Sequence, residues 1–164
     1  MKLSEHFDIS EFTCKCSKHC AAAPDKELIN KLEKLFSILN ARDIIITSGY
    51  RCSEHSISVG GTVNDAHTRN IAADIIVHDA TGKQLTSEVI AAGAERAGFS
   101  GIGIISATAV HVDVRNSSNY VNSHWFGDER TGNDNIKTFI NAKKQIRITA
   151  MIDDHKYSGL LEED

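Results

Sequence analysis

The segment Val110-His111-Val112-Asp113-Val114-Arg115 alternates valine with a chemically active residue at a period of two, which is the side-chain period of a β-strand. Its valine face predicts packing on a core. Its other face carries His111, Asp113 and Arg115, spaced roughly 6.5–7 Å apart by strand rise. A strand anchored in this way holds an imidazole rigidly, as a metal ligand requires. A second strand is predicted over Ala73-Asp74-Ile75-Ile76-Val77, with Asp74 at its start and His67 on the loop before it. Asn70 sits where that loop must turn, and asparagine tolerates the left-handed conformation better than most residues. Taken singly, a strand histidine is usually packed or hydrogen-bonded, and an aspartate before an apolar strand is usually a cap. Taken together, His67, Asp74 and His111 make a candidate zinc site. Three protein ligands of mixed His and Asp type leave the fourth tetrahedral position to water, which separates a catalytic zinc from a closed structural one.

The order Ser48-Gly49-Tyr50-Arg51, Val59-Gly60-Gly61, His67 to Asp74 and His111-Val112-Asp113-Val114-Arg115 resembles the motifs of the zinc D-Ala-D-Ala carboxypeptidase and L-Ala-D-Glu endopeptidase family, especially its phage-type, endolysin-like branch. The opening Leu3-Ser4-Glu5-His6-Phe7, with Ser10-Glu11-Phe12-Thr13-Cys14, is similar to the start of that branch, so the likeness covers about residues 3 to 125. The resemblance implies a metallopeptidase acting on the stem peptides of bacterial peptidoglycan, with His67, Asp74 and His111 holding Zn²⁺. It further implies that Arg51 lies near the metal, where a guanidinium fork suits a substrate carboxylate or a polarised carbonyl. The plainer alternative for Arg51 is a surface ion pair.

Two departures from the family pattern, Asp65 for Ser and Asn70 for Gly, are conservative in turn chemistry. A third concerns proton transfer. Several relatives carry an acidic residue three positions before the last His ligand, where this chain has Thr108, and the position two before is Ala109 rather than a second His. Asp113 is then the candidate catalytic base, on the ligand face one strand pair along from His111. Its alternative role is to orient His111 or to pair with Arg115. Glu54, His55, Asp65 and His124 are outside candidates for the same proton.

A chain of 164 residues with 41% apolar content suits one core of ordinary size. The formal charge of −4 is spread without basic blocks, so neither nucleic acid nor an anionic membrane is expected as a partner. No segment has the length and apolarity of a signal peptide or a membrane span. The expectation is synthesis as a soluble cytoplasmic protein that reaches the wall after release by lysis or on a particle. Nothing in the sequence fixes an oligomeric state or the bond that is cut.

Four cysteines crowd into the first third at positions 14, 16, 20 and 52, three of them within seven residues beside His19. A second, structural metal site, disulfides formed after lysis, and free thiols all remain open, since Cys14-Lys15-Cys16 lacks the two-residue spacing of common zinc knuckles.

The scaffold reads as a helix from about 25 to 40 with Leu28, Leu32, Leu35 and Leu39 as its core stripe and Pro24 in its first turn. A buried strand over Asp43 to Thr47 leads into Arg51, and a second helix runs from about Gln84 to Ala97, stopped by Gly98. Beyond Trp125 the likeness fades. A short helix is expected over 135 to 142 and a strand over 145 to 152, turned at Asp153-Asp154 toward a return arm over 157 to 161, before an acidic tail. These features divide the chain into a catalytic domain, 1–127, and a C-terminal extension, 128–164. The expected fold is α+β, Hedgehog/DD-peptidase-like, an antiparallel sheet with flanking helices. A noncatalytic zinc-containing wall-binding or virion structural module is the alternative function.

Overall fold

In the computed structural model, which describes residues 1–18, 20–115 and 125–130, the Asp25 carboxylate accepts the Glu27 amide at 2.7 Å and caps α1, Lys26–Ile38. Pro24 therefore stands just outside the helix rather than in its first turn. The stripe of Leu28, Leu32, Leu35 and the following Leu39 is fully buried, as the helical spacing predicts. Asn40, at φ 45°, turns the chain into β1, Ala41–Ser48. A short helix α2, Ser53–Ser58, and a long loop lead to β2, Ala72–Asp79. Asp74 is thus the third residue of its strand instead of its first. Helix α3, Ser87–Ala97, begins three residues later than the sequence pattern suggests. The reason is that Gln84 bridges to His78 and the Leu85 amide donates to the Val77 carbonyl, so this backbone is occupied in extending the sheet edge. Gly98, at φ 88°, ends α3 in the left-handed conformation that favours glycine. Strands β3, Gly101–Ile104, β4, Val110–Asp113, and β5, Trp125–Asp128, complete the described fold.

The sheet order is β1-β2-β4-β3-β5. β1 with β2, β2 with β4 and β3 with β4 pair antiparallel, whereas β5 pairs parallel with β3. The expected antiparallel sheet is therefore corrected to a mixed one within the α+β class. The cause is long-range: β5 adds to the far side of β3 from β4 and runs in the direction of β3 itself.

Alternation divides the sheet into two faces. Ile44 and Ile46 of β1, Ala73, Ile75 and Val77 of β2, Ile102 and Ile104 of β3, and Val110 and Val112 of β4 join α1 and α3 in one core cluster. Asp74, Gly101, Gly103, His111 and Asp113 belong to the opposite parity and so to the opposite face. In β3 the two isoleucines, Ile102 and Ile104, face the core, and on the other face Gly101 leaves room for the Asp113 carboxylate. The expected elements over 135–161, the acidic tail, His19 and His124 lie outside the described residues. Among the described residues no helix is long and apolar enough to cross a membrane.

Candidate metal centre

Strand register builds the site. Asp74 lies opposite His111 in the β2–β4 pair, and Ser48 lies opposite Asp74 in the β1–β2 pair, so the end of β1 and the loop bearing Arg51 reach the same place. His67 comes from the loop before β2. Asn70 closes that loop at φ 59°, its amide donating to the His67 carbonyl at 3.1 Å, and the left-handed turn expected from the sequence is present. The three side chains converge: His67 Nε2 is 3.2 Å from His111 Nδ1 and 3.3 Å from Asp74 Oδ1, and His111 Nδ1 is 2.9 Å from Asp74 Oδ1.

The outer contacts of each ring decide what the inner atoms present. His67 Nδ1 lies 2.8 Å from the Gly49 carbonyl, an acceptor, so this nitrogen carries a proton and Nε2 is left with its lone pair. His111 Nε2 lies 2.8 Å from Asp113 Oδ2, so here Nε2 is the donor and Nδ1 the lone pair. Two imidazole lone pairs and a carboxylate oxygen therefore meet at one point, and that point demands positive charge. A proton meets the demand through His111: burial would push its pKa down, but hydrogen bonds to Asp113 and Asp74 outweigh burial and hold it up to about 9. Against desolvation, the contacts with His111 and His67 hold Asp74 well below the usual carboxylate range. A metal ion meets the demand equally. Zinc with N and O ligands at 2.0–2.2 Å places neighbouring ligand atoms roughly 3.3 Å apart in a tetrahedron, close to the separations here. His67, Asp74 and His111 thus fit a zinc ion by donor type, tautomer and spacing.

Asp113 lies beyond the His111 ring from this meeting point and is fully buried. It also accepts the Arg115 backbone amide at 3.0 Å and the Arg115 Nε at 2.8 Å. Of the two roles weighed for Asp113, this placement suits the orientation of His111, since the carboxylate has no surface toward the cleft. Gly101 makes its burial feasible: a Cβ built there would collide with all three carboxyl atoms of Asp113. Arg51 donates from Nη2 to Asp74 Oδ2 at 2.7 Å and from Nε to Ser48 Oγ at 2.9 Å. This partly buried pair leaves Asp74 Oδ1 to the imidazoles and replaces the surface ion pair weighed as the alternative.

A cleft of about 610 Å³ opens over the centre, and its wall includes Arg51, Asp65, Arg115, Asp128 and Glu129. Asp65 accepts the Thr68 amide at 2.9 Å and the Ser56 hydroxyl, so its carboxylate is engaged in holding the loop. Glu54 pairs at the surface with Lys18 at 2.9 Å, and His55, in α2, does not line the cleft. Glu129 has no counterpart among the residues expected from the sequence. It is exposed, follows β5 directly, and donates its amide to the Ile104 carbonyl at 2.9 Å. Its neighbours Asp128 and Arg130 pair at 2.9 Å, and Arg130 also reaches Glu88 of α3 at 2.7 Å, which fixes the backbone on both sides of it.

The sequence model of the family described as Peptidase M15 matches residues 5–113, the span from the N-terminal segment to the end of β4. No curated protein matches the chain.

Proposed function

Because the chain belongs to the peptidase M15 family, we propose that it hydrolyses an amide bond in the stem peptides of bacterial peptidoglycan, as a carboxypeptidase or an endopeptidase. The observation that carries the reading is the convergence of His67 Nε2, His111 Nδ1 and Asp74 Oδ1 within 3.3 Å of one another, each turned inward by a contact on its other side. Zinc held there would supply Lewis acidity toward the scissile carbonyl and a lowered pKa for water.

The chain's own residues supply the rest. Arg51 holds Asp74 by Oδ2 and so leaves its Oδ1 directed at the two rings. Asp113 keeps the proton of His111 on Nε2, away from the ligand nitrogen. Arg51 and Arg115 line the cleft among its carboxylates, and guanidinium N–H groups there are the donors a peptide carboxylate or carbonyl of the substrate would meet. Glu129 is assigned the proton: its exposed carboxylate takes one from the attacking water and returns it to the leaving amine. This assignment fills the role for which Thr108 and Ala109 have no chemistry. The resemblance to the phage-type branch extends the proposal to wall lysis.

The test is incubation of zinc-loaded protein, and of a His111→Ala control, with purified peptidoglycan, followed by mass spectrometry of new peptide termini. New termini from the native protein alone support the proposal and name the bond. Zinc binding without new termini across several wall types overturns it in favour of a noncatalytic wall-binding module.

A further inference from the structure

The peptidase reading leaves the four cysteines unused, although the fold collects them from two distant parts of the chain. The Sγ atoms of Cys14, Cys16 and Cys52 all lie within 4.8 Å of one another, and Cys20 Sγ lies 3.8 Å from Cys16 Sγ. All four are free. A disulfide requires a sulfur separation of about 2.05 Å. A tetrahedral zinc with Zn–S bonds of about 2.3 Å places neighbouring sulfurs about 3.8 Å apart. The Cys16 to Cys20 spacing matches the second geometry and not the first.

The surrounding backbone supports thiolate sulfur. The Cys52 amide donates to Cys14 Sγ at 3.3 Å, the outer-shell contact that steadies a ligating sulfur. The Cys14 amide donates to the Cys20 carbonyl at 2.9 Å, which brings the backbone of Cys20 back beside that of Cys14. That loop is poor in apolar side chains: between Cys14 and Pro24 it offers only alanines besides the cysteines themselves. A segment of this composition cannot hold its shape by core burial and needs another fastening.

We propose that Cys14, Cys16, Cys20 and Cys52 form a second, structural zinc site of four thiolates. Binding releases the thiol protons to solvent and involves no change of oxidation state. The site fastens the N-terminal segment to the loop after β1, in which Cys52 directly follows Arg51, and it shares no residue with the His67, Asp74 and His111 centre. It therefore stands or falls independently of the peptidase reading.

The experiment uses the full chain, purified under reducing conditions and loaded with Zn²⁺ or Co²⁺ alone. The native protein is expected to hold two zinc ions per chain, and the cobalt form to show sulfur-to-cobalt charge-transfer absorption in the near ultraviolet. His111→Ala should fall to one ion and keep that absorption. A double variant, Cys16→Ser with Cys52→Ser, should lose the absorption and one ion. Should the double variant fail to fold, alkylation of the native chain decides alone: zinc should protect all four thiols, and a chelator should expose them. Thiols that alkylate equally with and without zinc, the lack of charge-transfer absorption in the cobalt form, or disulfides in the intact mass of the metal-loaded native chain would overturn the proposal.

Discussion

At the scale of single residues, the centre is defined by atoms that never touch the metal position. The Gly49 carbonyl and the Asp113 carboxylate each claim one ring proton, and so decide which nitrogen of His67 and of His111 faces inward. Asp113→Asn preserves size but removes the charge that favours the Nε2–H tautomer, and it leaves the Arg115 guanidinium with a neutral partner. Zinc affinity is expected to fall about 10–100-fold, measured by competition with a chromophoric chelator, and an unchanged affinity would remove the orienting role. Glu129→Gln should act in the opposite pattern. Zinc binding stays native while turnover on peptidoglycan drops about 10²–10⁴-fold, the usual contribution of a general base, and a variant with native turnover returns proton transfer to another group. The difference between these two residues also shows what the sequence could disclose. The convergence of His67, Asp74 and His111, with Asp113 behind the last ring, was legible because these residues sit in or beside strands whose alternation is written locally. The candidate base expected at Asp113 was placed by strand parity alone, which does not show that its carboxylate is buried away from the cleft. Glu129 was not legible, because it follows a four-residue strand and reaches the cleft only through pairing with β3.

At the scale of elements, the helices and central strands follow from periodicity. The leucine spacing predicts α1 over about 25 to 40, and the helix spans Lys26–Ile38. Gly98 ends α3 as expected, and the strand valines face the core. What local pattern could not give was the parallel direction of β5, or the delay of α3 by the pairing of Gln84 and Leu85 on the β2 edge, since both are settled by distant partners. Because Leu32 is fully buried between α1 and the sheet, Leu32→Ala is expected to cost about 2–5 kcal/mol in transfer and cavity terms. Urea unfolding would measure this, and a loss below about 1 kcal/mol would mean that the site collapses around the smaller side chain. The short 3-10 helix Ile9–Phe12 gives a pH prediction. Asp8 caps it, and hydrogen bonds from the Ser10 backbone and side chain hold its carboxyl down to about 2. A depressed folded pKa contributes stability that is complete above the unfolded value near 4 and is lost as pH falls toward 2. Asp8→Asn should therefore flatten the acid side of the stability profile between about pH 4 and 2 and lower the neutral plateau toward the acid value, because the carboxylate's contribution is then absent at every pH. Thermal unfolding across that range checks it, and identical acid slopes would contradict it.

At the scale of the molecule, the sheet separates what holds the fold together from what carries the chemistry. One face is closed by α1 and α3 over a continuous cluster that includes Leu28, Leu35, Ile75, Ile90, Ile102 and Val112. The other bears His67, Asp74 and His111, the cleft, and Gly101, which leaves room for Asp113. Apolar burial at about 25 cal/mol per Å² is the dominant favourable term in folding, and none of the ligand side chains belongs to that cluster. Removal of the metal from the His67, Asp74 and His111 centre should consequently abolish hydrolysis without unfolding the chain. A proton on His111 can take over the positive charge at the meeting point, since its pKa is held up to about 9. A chelator matched to the His and Asp centre, titrated into the zinc-loaded protein, is expected to remove activity while far-ultraviolet circular dichroism stays native, and added zinc should restore the activity. Loss of secondary structure in step with activity would show that the two faces are not energetically separate, and that the ligand cluster is part of what keeps β2 and β4 in register.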